Sequence, residues 1–216
     1  YCSLDNLSLQ LNHLLKLTDQ YSGEPISMIY DCLIISISKY YENIMNNIMT
    51  KIFSISISHL DGENDDSLCA LEFWENVAKT EKEIGFKRSK RYTLGIINYK
   101  RKENSIPYFV EHYLFSFISM SDPINIEPDD MNFAEKISEM AENCLVMITK
   151  AEPDAMFEIL KQYYSENRNN SKPKDRYSAL ISFRTIVSIS EIEEFDFIEQ
   201  ELESIFKFAL NINEKL

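Results

Sequence analysis

The residues able to do chemistry in this chain are few and scattered. Histidine occurs three times, at His13, His59 and His112, with no Cys or Asp at metal-ligand spacing. Each reads as a surface or helix-end histidine. The four cysteines, Cys2, Cys32, Cys69 and Cys144, form no C-x-x-C pair. Each lies in an apolar stretch, which predicts buried free thiols in a reducing compartment. No P-loop, G-x-G-x-x-G, H-E-x-x-H or G-x-S-x-G occurs. The carboxylates of Glu193, Glu194, Glu199 and Glu201 read as a solvated helix face. The chain is therefore expected to bind rather than catalyse, with no metal and no cofactor.

Charge narrows the partners. The 216 residues carry 22 Lys and Arg against 35 Asp and Glu, a formal charge of −13. Such a surface repels nucleic acid and anionic membrane and suits basic partners. It equally suits a soluble acidic protein with no special partner. Seven of the basic residues crowd into "FKRSKRYTLGIINYKRK" at 86–102. That run reads as a solvated loop, with contact to nucleic acid or an acidic partner as the alternative. No signal-peptide core and no 18-residue apolar run appears, so a soluble intracellular protein is expected. The chain starts at Tyr1 rather than Met, which is the expectation for a fragment or a processed product.

The elements that must position these residues are helices. "LIISISK" at 33–39 and "TKIFSISISHL" at 50–60 alternate Ile with Ser, the usual mark of a half-buried strand. Yet the 36 residues between Pro25 and Gly62 contain neither Gly nor Pro, a span too long for a strand. Ile26, Ile29, Tyr30, Leu33, Ile37, Tyr40, Tyr41, Ile44, Ile48, Ile52, Ile55 and Ile57 step mostly by three or four, the helical period. Both stretches are therefore predicted helical, with a break near Glu42–Asn47. The other predicted helices are about 4–20, 66–84 (capped by Asp66 or Ser67), 107–120, 132–150, 153–167, 175–189 and 192–212. Residues 85–106 and 121–130 are expected to be irregular. Only 4 Gly and 6 Pro are present, too few for the turns of an all-β fold. Helix pairs recurring every 40 residues or so (repeats of about 1–41, 42–84, 107–150, 151–190 and a partial 191–216) suit HEAT or armadillo units in one solenoid segment. The fold expectation is all-α, about four helix pairs plus one helix.

"CALEFWENVAKTEKEI" at 69–84 resembles a helix of the importin-β family of nuclear transport receptors, whose members carry an "EFW" followed by a polar-acidic tail. The Tyr40–Tyr41 pair before it, "YFVEHYLFSFI", an acidic loop, "AENCLVMITK" and "KPKDRYSALISFRTIV" follow the family's order, with Arg176 on a matching arginine. The likeness spans about 24–84 and 108–190. Met131 stands where the family has a tryptophan, and Asn47 where it has a tyrosine.

This resemblance implies a HEAT-repeat superhelix. It implies a receptor that carries proteins through the nuclear pore, working in cytoplasm and nucleus and at the nuclear envelope. The implied partners are the GTPase Ran, importin-α or basic cargo, and FG-repeat nucleoporins. Asp122, Glu127, Asp129 and Asp130 would form the acidic loop for Ran or cargo. Leu9, Gln10, Ile48, Ile52 and Ile55 would form the groove for an FG phenylalanine, with ordinary core as the other role for Ile55. Trp74 and Arg176 would be structural. The alternative is a HEAT-repeat scaffold that takes no part in transport, such as a phosphatase-scaffold-like protein.

Overall fold

The structure, a computed structural model, describes residues 4–18, 20–61, 64–88, 109–121, 131–189, 196–203 and 205. Among these residues there is no strand. The first helices are α1 (Leu4–Leu17), α2 (Glu24–Asn47), α3 (Met49–Leu60) and α4 (Asp65–Arg88). Next comes α5, made of a π-helical stretch Phe109–Leu114, an α-helical turn Phe115–Ile118 and a 3-10 turn Ser119–Ser121. Then follow α6 (Met131–Ala151), α7 (Pro153–Asn167), α8 (Pro173–Ile189) and a last helical stretch, α9, at 196–203.

Both alternating stretches are helical. Their serines explain how a helix carries them. Ser36 and Ser38 return their hydroxyls to the carbonyls of Cys32 and Ile35, and Ser56 and Ser58 to those of Phe53 and Ile55. Each hydroxyl finds its acceptor one turn back, the usual local bond of a helical serine. Ile37 and Ile52 are buried while Ile35 stays exposed, which is a helical pattern and not a two-residue one.

Three boundaries differ from the sequence expectation. Residues 42–47 are helical. The departures lie on either side: Tyr40 is non-helical inside α2 (φ −130°, ψ 31°), and Ile48 (φ −127°) separates α2 from α3. Ile44, Ile48, Met49 and Ile52 are all buried, so the corner is held by apolar contacts on both of its arms. The start of α4 is capped neither by Asp66 nor by Ser67. Asn64 takes that role: its Oδ1 accepts from the Asp66 N–H at 2.9 Å, and the Asn64 N–H donates to Ser67 Oγ at 3.1 Å. This is the reciprocal logic of a capping box. It leaves the Asp66 carboxylate for a longer reach, to the N–H of Gly23 at 2.9 Å. Gly23 precedes α2 with φ at 69°, a conformation costly for any residue with a Cβ. Third, residues 85–88 belong to α4, so that helix and α2 each run 24 residues, longer than expected.

The helices pack as successive pairs: α1 with α2, α3 with α4, α5 with α6, α7 with α8. α4 sits centrally, flanked by α2 and α6 and backed by α3. One apolar core runs through α1 to α8 and reaches Ile198 of α9. The architecture is all-helical and compatible with an α-helical solenoid.

Candidate functional site

Trp74 lies at the junction of α3, α4 and α5, 1% exposed. Its ring meets Phe53, Phe73 and Phe109 at centroid distances of 5.6, 5.1 and 6.0 Å, the first and third from neighbouring helices. Arg176 tethers the turn between α7 and α8: its Nη1 donates to the carbonyls of Asn170 at 2.7 Å and Ser171 at 3.0 Å.

The groove residues separate. Leu9 is 60% exposed on α1 with Gln10 beside it, and Ile55 is half-buried on α3. Ile48 and Ile52 are 2% and 1% exposed. They are core residues and offer a ligand no surface, which corrects their placement in the groove. A helical wheel puts Ile52 and Ile55 a few residues apart on one broad apolar face, but the packing of α4 covers only part of that face. Lys51 Nζ donates to Asn12 Oδ1 at 2.6 Å. This bond sets the Lys51 side of α3 beside the Asn12 side of α1. Ile55 is one turn C-terminal to Lys51 on α3, and Leu9 about one turn N-terminal to Asn12 on α1. One polar bridge, Lys51 to Asn12, links the two helices there. Asp122, Glu127, Asp129 and Asp130 lie outside the described residues, as does the basic run beyond Arg88.

The titratable residues do mostly structural work. His59 Nδ1 meets Tyr30 Oη at 2.8 Å, and the His59 carbonyl accepts from Ser67 Oγ. Burial pushes the Tyr30 hydroxyl well above its ordinary range, reinforced by Cys69 and Asp66. His13 and His112 are exposed on α1 and α5. No group of three or more His, Cys, Asp or Glu among the described residues is placed to hold a metal ion. The thiols differ from expectation. Cys144 is buried and Cys69 half-buried, but Cys32 is exposed. It stands on the outer side of α2 between Met28 and Ile35, which are 63% and 55% exposed. Met28, Cys32 and Ile35 thus share an open face of α2, while Ile29 and Leu33 beside them face the core. Desolvation pushes the Cys144 thiol far up and the Cys69 thiol up, which keeps both protonated and weakly nucleophilic.

Some partners have no sequence signal. Tyr41 on α2 donates to the carboxylate of Glu81, a buried residue of α4. Tyr164 on α7 and Arg168, the C-cap of that helix, both reach Glu201 on α9, which raises the Arg168 pKa through its hydrogen bond to that carboxylate. Neither a protein-family model nor a curated protein matches the chain.

Proposed function

We propose that this chain is a segment of a nuclear transport receptor of the importin-β kind, a binding protein and not an enzyme. Its helix pairs are read as HEAT repeats in a superhelix. In this reading Asp122, Glu127, Asp129 and Asp130 contact the GTPase Ran or a basic cargo or adaptor. FG-repeat nucleoporins dock at the α1–α3 junction, and the protein acts in cytoplasm, nucleus and pore. The observation that carries the reading is the junction itself. Two successive first-of-pair helices are tied by Lys51 and Asn12, with Leu9 exposed one turn from Asn12 and Ile55 half-buried one turn from Lys51. A single phenylalanine seated there gains roughly 2–3 kcal/mol from burial. Ordering a disordered peptide offsets much of that. Affinity is then on the order of 0.1–1 mM per motif, strengthened when many repeats act together.

An NMR titration with an FxFG peptide tests this. Shifts confined to α1 and α3, lost in Leu9→Asp and in Ile55→Asp, support it. No shifts at millimolar peptide would sink it. The loss of Ile48 and Ile52 to the core favours a second reading, a HEAT scaffold that never meets the pore. That reading predicts no FxFG binding at all.

A further inference from the structure

A second site stands apart from the α1–α3 junction. The C-terminal end of α3, one side of α5, Tyr163 of α7 and the first turn of α8 enclose a cleft of about 440 Å3. That volume falls in the range of ligand pockets, roughly 300–1,000 Å3. The wall formed by α5 begins in its π-helical stretch, which supplies His112 and Tyr113. Such turns are rare and gather at functional sites. Along α5, Tyr113, Leu114 and Phe117 are in the core while His112 and Ser116 stay exposed at the cleft.

The charges in the cleft are set against their own helices. Asp61 is the C-cap of α3, where the exposed carbonyls already make a negative end. Tyr113 Oη fixes it there by donating to Oδ1 at 2.8 Å. At the opposite wall Lys174 occupies the first turn of α8, where the free N–H groups make a positive end. Among the described residues neither Asp61 nor Lys174 makes an ion pair. Asp175, also lining the cleft, has the sign that the α8 terminus favours. Among the described residues Asp61 thus has no cation paired with it and Lys174 no anion paired with it, although Asp175 shares the wall of Lys174. A polyanion fits poorly, because Asp61, Asp175 and the charge of −13 all oppose it.

We propose that this cleft binds a short mixed-charge peptide segment of a partner protein, a Lys or Arg side chain on Asp61 and a Glu or Asp side chain on Lys174. The segment's backbone crosses Ser116 and the ring of Tyr163. The site is independent of FG binding at α1–α3, and either can fail without the other.

The test is an NMR titration of the chain with blocked Lys-Gly-Gly-Glu peptide. Weak binding is expected, with shifts at Asp61, Tyr113, Tyr163 and Lys174. Asp61→Asn and Lys174→Gln change exposed side chains, so the fold is kept, which circular dichroism checks. Each should weaken binding by about two- to fivefold, the scale of one exposed ion pair. Asp61→Asn should bind Lys-Gly-Gly-Glu no better than wild type binds Gln-Gly-Gly-Glu. Equal binding of blocked Gln-Gly-Gly-Gln or Phe-Gly peptide, or of free lysine with free glutamate, would overturn the proposal. So would wild-type affinity in both variants, or no shift at tens of millimolar peptide (about the weakest binding such contacts give).

Discussion

Trp74 Nε1 donates to Ser56 Oγ at 3.0 Å, and neither residue is more than 1% exposed. Ser56 belongs to the Ile-Ser alternation of α3. Its position inside the core is a polar socket for the indole N–H, and its own proton goes to the Phe53 carbonyl. Ser56→Ala leaves a buried donor without its acceptor, which costs about 1–3 kcal/mol. Trp74→Ala opens a cavity among three helices and costs about 3–5 kcal/mol. Urea denaturation followed by circular dichroism measures both. In wild type, tryptophan emission should be blue-shifted and resist iodide quenching. Red, quenchable emission would place Trp74 in solvent.

Arg176 holds two carbonyls of the α7–α8 turn from a single Nη1. Arg176→Ala frees both acceptors and should cost about 1–2 kcal/mol. Arg176→Lys should recover only part of this, because a shorter, flexible stem must bring its ammonium to where Nη1 lies. Hydrogen exchange at 170–176 provides the local readout: it should speed up in both variants while α2 exchange is unchanged.

The thiols should react in the order of their exposure. Cys32 reacts with a disulfide reagent in the folded protein, Cys69 more slowly, and Cys144 only on unfolding. A Cys2→Ser background removes the one cysteine outside the described residues. Prompt labelling of Cys144 in the native state would contradict its burial.

Cys144 also makes stability depend on pH. Its folded pKa is raised by desolvation, above the ordinary thiol value of about 8.5 that holds in the unfolded chain. Above that value the unfolded state releases a proton that the folded state keeps, so stability falls as pH rises. The slope for one group approaches 1.4 kcal/mol per pH unit, an approximate limit for one proton. Cys69 is raised in the same direction and adds to it. Below about pH 8 both contributions are fully present. Cys144→Ala should lower stability at pH 7 through its cavity, yet flatten the slope between about pH 9 and 10. Equal slopes in the two proteins would show that this thiol does not titrate between the states.

The helical period of α2 and α3 is legible in the sequence because core packing repeats at every turn: Ile26, Ile29, Leu33, Ile37 and Ile44 are all buried. The cap at Asn64 is not, since Asn, two Asp and a Ser follow one another and each can cap. Only the geometry that sends Asp66 to Gly23 decides among them. The site was less legible than the fold. Ile48, Ile52 and Ile55 are one chemical type at helical spacing. Which of them faces solvent depends on where α1 and α4 lie, and that is tertiary information. The cleft beside α5 joins Asp61, Tyr113 and Lys174 from distant parts of the chain, and no spacing rule connects them.

That division of the isoleucines separates stability from binding. Ile52 is core, so Ile52→Ala should cost about 2–5 kcal/mol in denaturation. Provided the variant is still folded at the temperature of the assay, its FxFG affinity should stay within about twofold of wild type, because no groove atom is removed and the fold is intact. Leu9→Asp should do the reverse. The residue is 60% exposed, so stability should change by less than about 0.5 kcal/mol. FxFG binding should fall below detection, because a carboxylate at the edge of a shallow apolar seat must be desolvated by the incoming phenylalanine. The wild-type affinity should vary little between low and physiological salt, since the contact is apolar, whereas a Ran or cargo contact through Asp129 and Asp130 should weaken. Paired denaturation and titration curves for the two variants measure this. Loss of binding in folded Ile52→Ala with binding retained in Leu9→Asp would return Ile52 to the binding surface and remove Leu9 from it.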